Sequence, residues 1–447
     1  MSQPTTAPLQ VSDGSVAAVA VRARKASRTL AQLPASVRDE VLLAIARAIE
    51  ADAPRILEAN ARDLKAAEPE VAAGRMSAAM LARLKVTERG VAQMAAQIRE
   101  VARLDDPLGR RLSATELDDG LVLSRESCPF GVIGVIFESR PDALPQLASL
   151  ALKSGNAVLL KGGAEAAQTN ETLAAIWRET LAKFPTVPAD SIHLLQTRAD
   201  VSEMLALDRD IDLIIPRGSY ALVQHIMAHS KIPVLGHSEG ICHVYVDRAA
   251  NVDKAIAITH DAKAQYPAVC NAAETLLVHQ AIAGRFLPRV AAKLQEAKVE
   301  IRGDAKTLAL LPNTGIVPAT EADWATEYSD LILSVKIVDD LDEAIEHINR
   351  FGSRHTDAIV TEDAEAARRF MNEVDAAGVF QNASTRFADG YRYGLGAEVG
   401  ISTSKLHARG PMGLEGLTTY KYKLVGKGHT VGPYASGEKK FKHRPQK

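Results

Sequence analysis

The chain has 447 residues, 47% of them hydrophobic and 24% charged, with a formal net charge of -2. These values suit a globular protein of two or three domains at roughly 150 residues each, and they offer no basic field to nucleic acid. No apolar run approaches the ~20 residues of a membrane span, and the three cysteines, Cys128, Cys242 and Cys270, match neither a disulfide framework nor a zinc-site spacing.

The opening residues, 1–14, are polar and lack the basic-then-apolar order of a secretory signal. A reducing, cytoplasmic location is therefore expected. The next hundred residues carry helical periodicity. Residues 16–33 are rich in Ala, Arg and Lys, Ser36 and Asp39 have the spacing of a capping box before the apolar run 41–49, and residues 80–101 repeat the pattern. Two extended runs, 111–117 and 121–127, flank Asp118-Asp119-Gly120 and predict a β-hairpin. From Val132 short apolar runs alternate with helical ones. Strands are expected at 132–137, 157–161, 191–196 and 211–216, and helices at 142–153, 164–181, 200–207 and 219–229. Gly155 stands where a helix C-terminal glycine would. This pattern means parallel βαβ units and a doubly wound sheet, a platform for a dinucleotide. A second α/β series begins near Asn251 and runs to a strand at 378–382. The glycine-rich stretch 394–416 is followed by a β-rich one at 417–424, and the tail from Val425 reads as mobile.

Several signals carry chemistry. Lys161-Gly162-Gly163, with Glu165 just beyond, lies between a strand and a helix start. Backbone amides there make an anion site, to which Lys161 adds charge; the competing reading is a tight turn with a surface lysine. Arg217-Gly218-Ser219 repeats the arrangement after the next strand, where Arg217 would meet a phosphate or be a surface residue. Glu138, Ser139, Arg140 and Asp142 cluster at the end of the first parallel strand, where ligands of such sheets sit. Gly394, Gly396 and Gly400 have one residue too many for a dinucleotide fingerprint and no strand before them. His225 and His229 share a helix face, but no third ligand accompanies them, so no metal is expected. Cys242-His243 sits in an apolar run and reads as core. Cys270 lies among small residues on a predicted tight loop between a helix (251–263) and a strand (275–279). A lone cysteine is more often a buried hydrophobe, but one held on a loop beyond a dinucleotide domain suits a nucleophile.

The order of these parts resembles the aldehyde dehydrogenase superfamily. Longer strings are similar to the γ-glutamyl phosphate reductases within it: Phe137-Glu-Ser-Arg-Pro141, Ile214-Ile-Pro-Arg-Gly218, residues 327–338, Ser353-Arg-His-Thr-Asp-Ala-Ile359, and residues 408–420. The resemblance covers roughly residues 15–425. It implies a discontinuous NADP(H)-binding domain (1–110 and 128–250), a catalytic domain (251–380) and a hairpin-plus-strand oligomerisation unit (111–127 and 381–425), with residues 426–447 as a tail. It also implies a homo-oligomer, dimer or tetramer, and a functional partner in glutamate 5-kinase, which would supply the labile substrate. Lys161, Gly162, Gly163, Glu165, Gly218, Ser219 and Glu327 would bind the cofactor, with Glu327 matching the glutamate that holds the nicotinamide ribose. Arg140 and Arg217 would hold the phosphate or the α-carboxylate of the substrate.

The departures from hydrolytic relatives are informative. Their water-activating glutamate, in Glu-Leu-Gly-Gly, corresponds to Val234 in Val234-Leu235-Gly236-His237. Their oxyanion asparagine corresponds to Ser139. Oxyanion support would then fall to the backbone of Cys270, with Asn271 or Ser139. The implied reaction is NADPH-dependent reduction of L-glutamyl 5-phosphate to the semialdehyde through a Cys270 thioester. The alternatives are a hydrolytic aldehyde dehydrogenase and a non-catalytic nucleotide-binding protein.

Overall fold

The structure, a computed structural model, describes residues 14–138, 140–236 and 239–446. Its contacts divide the chain into two compact units: the chain up to Leu235 and again from Gly413, and Gly236–Met412.

The first unit opens with helices α1 (Val16–Leu30), α2 (Ala35–Ala51), α3 (Ala53–Ala72), α4 (Ala78–Leu84) and α5 (Glu88–Arg103). Ser15 caps α1 by accepting from Ala18 N, and Thr87 caps α5 by accepting from Gly90 N. That Thr87 cap splits the run over 80–101 into two helices. Val91, Met94, Ala95, Ile98 and Val101 are buried along α5, a stripe at helical spacing. The capping box expected at Ser36 and Asp39 does not form. Pro34, with its fixed φ, stands at the N-cap, so α2 starts at Ala35 and Ser36 is already inside its first turn. Asp39 instead accepts from the buried Lys153 Nζ at 2.5 Å.

The hairpin follows as β1 (Arg111–Asp118) and β2 (Leu121–Pro129), turning at Gly120 with φ +75°. Then come β3 (Val132–Phe137), α6 (Ala143–Lys153), β4 (Ala157–Lys161), α7 (Ala167–Leu181), β5 (Ile192–Leu194), α8 (Arg198–Met204), β6 (Leu213–Arg217) and α9 (Tyr220–His229). Their sheet is parallel, in the order β5-β4-β3-β6. Every residue of β3 and β4 is buried, as strands covered by helices on both faces must be. The strand order reverses about β3, so the segments after β3, β4 and β6 emerge at a topological switch point.

The second unit carries β7 (Cys242–Val246), α10 (Val252–Ala264), β8 (Ala273–His279), α11 (Gln280–Glu296), β9 (Glu300–Gly303), α12 (Ala305–Leu310), β10 (Val317–Pro318), β11 (Ile332–Val338), α13 (Leu341–Phe351), β12 (Thr356–Val360), α14 (Ala364–Glu373) and β13 (Gly378–Gln381). All seven strands are parallel, in the order β10-β9-β11-β8-β7-β12-β13. Its core is built from Val244, Leu276, Val278, Phe286, Val290 and their neighbours. A small antiparallel pair, β14 (Gly400–Ser402) and β15 (Gly410–Met412), ends the unit.

The chain then returns to the first unit as β16 (Thr418–Val425) and β17 (Arg444–Gln446). These join the hairpin in an antiparallel sheet ordered β16-β2-β1-β17. Two boundaries and the reading of the tail therefore differ from the sequence expectation. β7 belongs to the second unit, because it pairs with β8 and β12, so the division falls at 235/236 and not at 250. Residues 381–412 sit with the second unit rather than with the hairpin. The tail is pinned: β17 pairs with β1, Lys442 bonds Asp119, and Tyr434 donates to Asp118 at 2.9 Å.

Candidate active site

In the first unit the predicted cofactor and substrate residues gather at the C-terminal ends of β3, β4 and β6. Lys161 closes β4, only 8% exposed, and its Nζ donates to Gly162 O. Burial holds its ammonium below the ordinary lysine range, and Glu165 and Asp200 partly restore it. Gly162 is fixed by space. A Cβ there would lie 2.2 Å from Asn170 Nδ2 and 3.1 Å from the Phe137 ring. Asn170 itself is buried, and among the described residues neither its amide nitrogen nor its oxygen has a hydrogen-bond partner. An unsatisfied buried amide beside a glycine turn and a buried lysine fits a polar ligand at this edge. After β6, Glu138 Oε2 accepts from Ser219 N at 2.7 Å and the Glu138 amide donates to Arg217 O at 3.1 Å. Glu138 thereby stitches the ends of β3 and β6 together. Arg140, largely exposed, pairs with Asp142 at 3.1 Å. Ser139 and His237 lie outside the described residues. The His225 and His229 rings lie 4.2 Å apart and tilted by 31°, and His229 Nδ1 lies 2.7 Å from His225 O. Among the described residues no group of three His, Cys, Asp or Glu is placed to hold a metal.

In the second unit Cys270 and Asn271 form the turn between α10 and β8, closed by Ala272 N donating to Val269 O at 2.9 Å. Cys270 is half-buried. The turn is anchored from a distant stretch: Asn271 Nδ2 donates to Ala388 O at 2.8 Å, and Thr385 Oγ1 donates to Asn271 O at 2.7 Å. The Asn271 side chain thus holds the loop, and its Oδ1 is buried with no partner among the described residues. Gly240, just before β7, packs directly on the nucleophile candidate. A Cβ at Gly240 would stand 2.1 Å from Cys270 O and 2.5 Å from its Cα. Because those atoms are backbone, the loop itself has to move. Gly240→Ala is therefore expected to cost about 1–3 kcal/mol and to alter the rate at which iodoacetamide labels Cys270. Thermal unfolding and labelling kinetics check this, and parental values in both contradict the close approach.

Cys242 is the contrasting thiol. It is fully buried, its Sγ donates to Cys270 O at 3.3 Å, and burial raises its pKa well above the ordinary value, so it stays protonated. With His243 bonded to Asp357 at 2.9 Å, this pair is core, as expected from the apolar run.

The sequence reading missed an ion pair that staples the ends of the Cys270 loop. Lys263, near the end of α10, meets Glu274, second residue of β8, at 2.6 Å. Their side chains are 0% and 1% exposed. Burial pushes the Glu274 carboxyl up to about 7 and the Lys263 ammonium down, while each partner pulls the other back. Ser329 N supports Glu274 Oε1 at 3.3 Å. Glu327, the expected ribose ligand, adds its negative charge to this neighbourhood, and the carboxyl of Glu239 is raised by burial and then by Glu327. A charged residue inside the otherwise apolar run Ala273–Val278 was the available signal for Glu274, because such a residue is seldom buried unless paired.

The aldehyde dehydrogenase family model matches residues 5–310. The gamma-glutamyl phosphate reductase of Synechococcus sp. (strain JA-3-3Ab) is 55% identical over 98% of this chain and 96% of its own length. That of Natronomonas pharaonis is 53% identical over 94% and 95% respectively. The crystal structure of gamma-glutamyl phosphate reductase from Thermotoga maritima superposes with a TM-score of 0.90 at 39% identity, covering 93% of this chain and 99% of that one. A glyceraldehyde-3-phosphate dehydrogenase from Methanocaldococcus jannaschii complexed with NADP shares the fold, at 17% identity and a TM-score of 0.64.

Proposed function

Because the chain belongs to the aldehyde dehydrogenase family, and within it to the gamma-glutamyl phosphate reductases, we infer that it reduces L-glutamyl 5-phosphate to L-glutamate 5-semialdehyde with release of phosphate, a step of proline biosynthesis. It is an oxidoreductase acting on an acyl phosphate, and its family uses NAD(P). The observation that carries the reading is the near full-length identity to enzymes of that name, joined to a half-buried cysteine on a doubly anchored turn.

A carboxylate is too poor an electrophile to accept hydride, so the substrate arrives activated. The Cys270 thiolate attacks the acyl phosphate carbonyl, phosphate departs, and a thioester remains. Bound NADPH would supply a hydride to that carbonyl. The hemithioacetal then collapses to the aldehyde and returns the thiol. The backbone N–H of Cys270 in the Val269–Ala272 turn, with Asn271 or Ser139, is the donor set for the two tetrahedral stages, where loss of one donor typically costs ~10²–10³ in rate. Asn271 holds that turn, and Arg140 and Arg217 hold the substrate's phosphate or α-carboxylate. Lys161, Gly162, Gly163, Glu165, Gly218, Ser219 and Glu327 hold NADP(H), with Asn170 as a further donor and acceptor beside Gly162. A preference for NADPH over NADH is part of the proposal. Val234, an apolar residue, cannot activate water, which protects the thioester from hydrolysis.

Two partnerships complete the proposal. The substrate is a labile acyl phosphate, so a glutamate 5-kinase must supply it. The outer edge strand β16 exposes Tyr422, Leu424 and Val425, and an uncovered apolar edge supports pairing with another copy of this chain.

The test runs the reaction backwards. With glutamate semialdehyde and NADP⁺, NADPH is expected to form only when phosphate or arsenate is present. Formation in the absence of both overturns the phosphorylating chemistry in favour of hydrolysis.

A further inference from the structure

Arg386 sits on the short helical turn Thr385–Phe387, the same stretch whose Thr385 and Ala388 anchor Asn271. It is 7% exposed. Its Nε donates to Gln265 Oε1 at 3.0 Å, and Gln265 directly follows α10 at the other end of the Cys270 loop. The flanking residues Thr385 and Ala388 are therefore bonded to one end of the segment that carries Cys270, and the guanidinium is fixed to the other. Its bonded partner there is a neutral amide, and no carboxylate of the described residues bonds it. A buried cation without a bonded anion is costly unless an anion is provided nearby.

We propose that Arg386 is the group that activates Cys270, its fixed guanidinium favouring the thiolate over the thiol. This rests on the reading of Cys270 as the nucleophile and names the activator that the sequence around Cys270 does not contain. The proton released from the thiol passes to solvent, since a guanidinium already carries its full complement and accepts none. Arg386 and Cys270 are held near one another, because a hydrogen bond from Thr385 Oγ1 to Asn271 O joins their immediate chain neighbours.

Other charges among the described residues face these two groups. Asp389 and Arg392 come from Arg386's own segment and Asp261 from α10. Arg392 Nη1 is turned to Arg386 O at 2.6 Å. Beneath the loop Cys242 stays protonated, with Asp357 and Glu274 around it and Lys263 paired to Glu274. Glu239, next to Gly240, is shifted toward its neutral form by burial and by Glu327, so it opposes the thiolate less than an ordinary carboxylate would.

The experiment reads the thiol without turnover. The full-length protein is labelled with iodoacetamide from acid to alkaline pH, and modification of Cys270 is followed by peptide mass. In Arg386→Gln the midpoint is expected to rise by about one unit or more, so that labelling below both midpoints slows about tenfold. Arg386→Lys keeps a charge but loses the Gln265 bond, and its midpoint is expected between the two. Circular dichroism checks that each variant is folded; if Arg386→Gln is not, Arg386→Lys carries the test. A parental midpoint in the folded variant overturns the proposal. The outcome is separable from that of the nucleophile reading: full turnover in Cys270→Ser would end that reading, whereas the labelling midpoint reports on Arg386 alone.

Discussion

Cys270→Ala is expected to lower reduction of the acyl phosphate by a factor on the order of 10⁴ or more, as nucleophile deletions do elsewhere. The loss is large because no second group can form the covalent intermediate. Cys242 is fully buried with its thiol held neutral, whereas Cys270 is half-buried on its turn. NADPH consumption with freshly made substrate measures it, with circular dichroism as the control for folding. The variant should still bind cofactor, because the cofactor residues assigned to the first unit are untouched. Substantial residual turnover in a folded Cys270→Ala protein would falsify the thioester route.

Lys263→Met is expected to destabilise the protein by about 3–5 kcal/mol at pH 8, since it strands a buried carboxylate. The pH dependence distinguishes this from a simple packing loss. Glu274 is already raised to about 7 with Lys263 in place. Without the ammonium it rises further, above its unfolded value of 4.5, so the folded variant takes up a proton that the unfolded chain does not. Stability contributed by a raised group is present below the unfolded pKa and is lost as pH rises toward the folded one. The parental protein shares that slope up to about 7, so the deficit of Lys263→Met should shrink as pH falls from 8 toward 7, by up to about 1.4 kcal/mol per unit, and then hold level down to 5.5. Lys263→Met combined with Glu274→Leu removes both charges and should recover most of the loss. Urea unfolding at the two pH values measures it, and a pH-independent deficit would rule out the stranded carboxylate.

The alternating pattern from Val132 to His229 was legible because parallel strands buried on both faces leave short apolar runs between helices. β3 and β4 fall where the sequence placed them. β7 was read as core and left out of the sheet, because its five residues are all buried and show no alternation. That omission displaced the domain boundary. β9 and β10 were missed for another reason: they are short strands of four and two residues, too brief to display a period. For the site, local strings pointed to Lys161–Gly163 and to Cys270, since each lies on one loop. Gly240, Arg386 and the Lys263–Glu274 pair were not legible in the same way. Their meaning comes from strands and turns that meet Cys270 only after folding. The Cys270 loop enters β8 at the N-terminal end of the strand, as its sequence position between a helix and a strand implied.

The anchoring of the Cys270 turn by Thr385 and Ala388 has a consequence during synthesis. Asn271 and Thr385 are 114 positions apart. A ribosome adding 5–20 residues per second needs on the order of ten seconds to cover that span. Through that interval the nascent chain carries its cysteine on an untethered loop, with Arg386 not yet made. The thiol gains its acidity only when the anchoring stretch has emerged and docked, so the half-built chain keeps a slow-reacting cysteine, poorly disposed to capture electrophiles or oxidants before the site is complete.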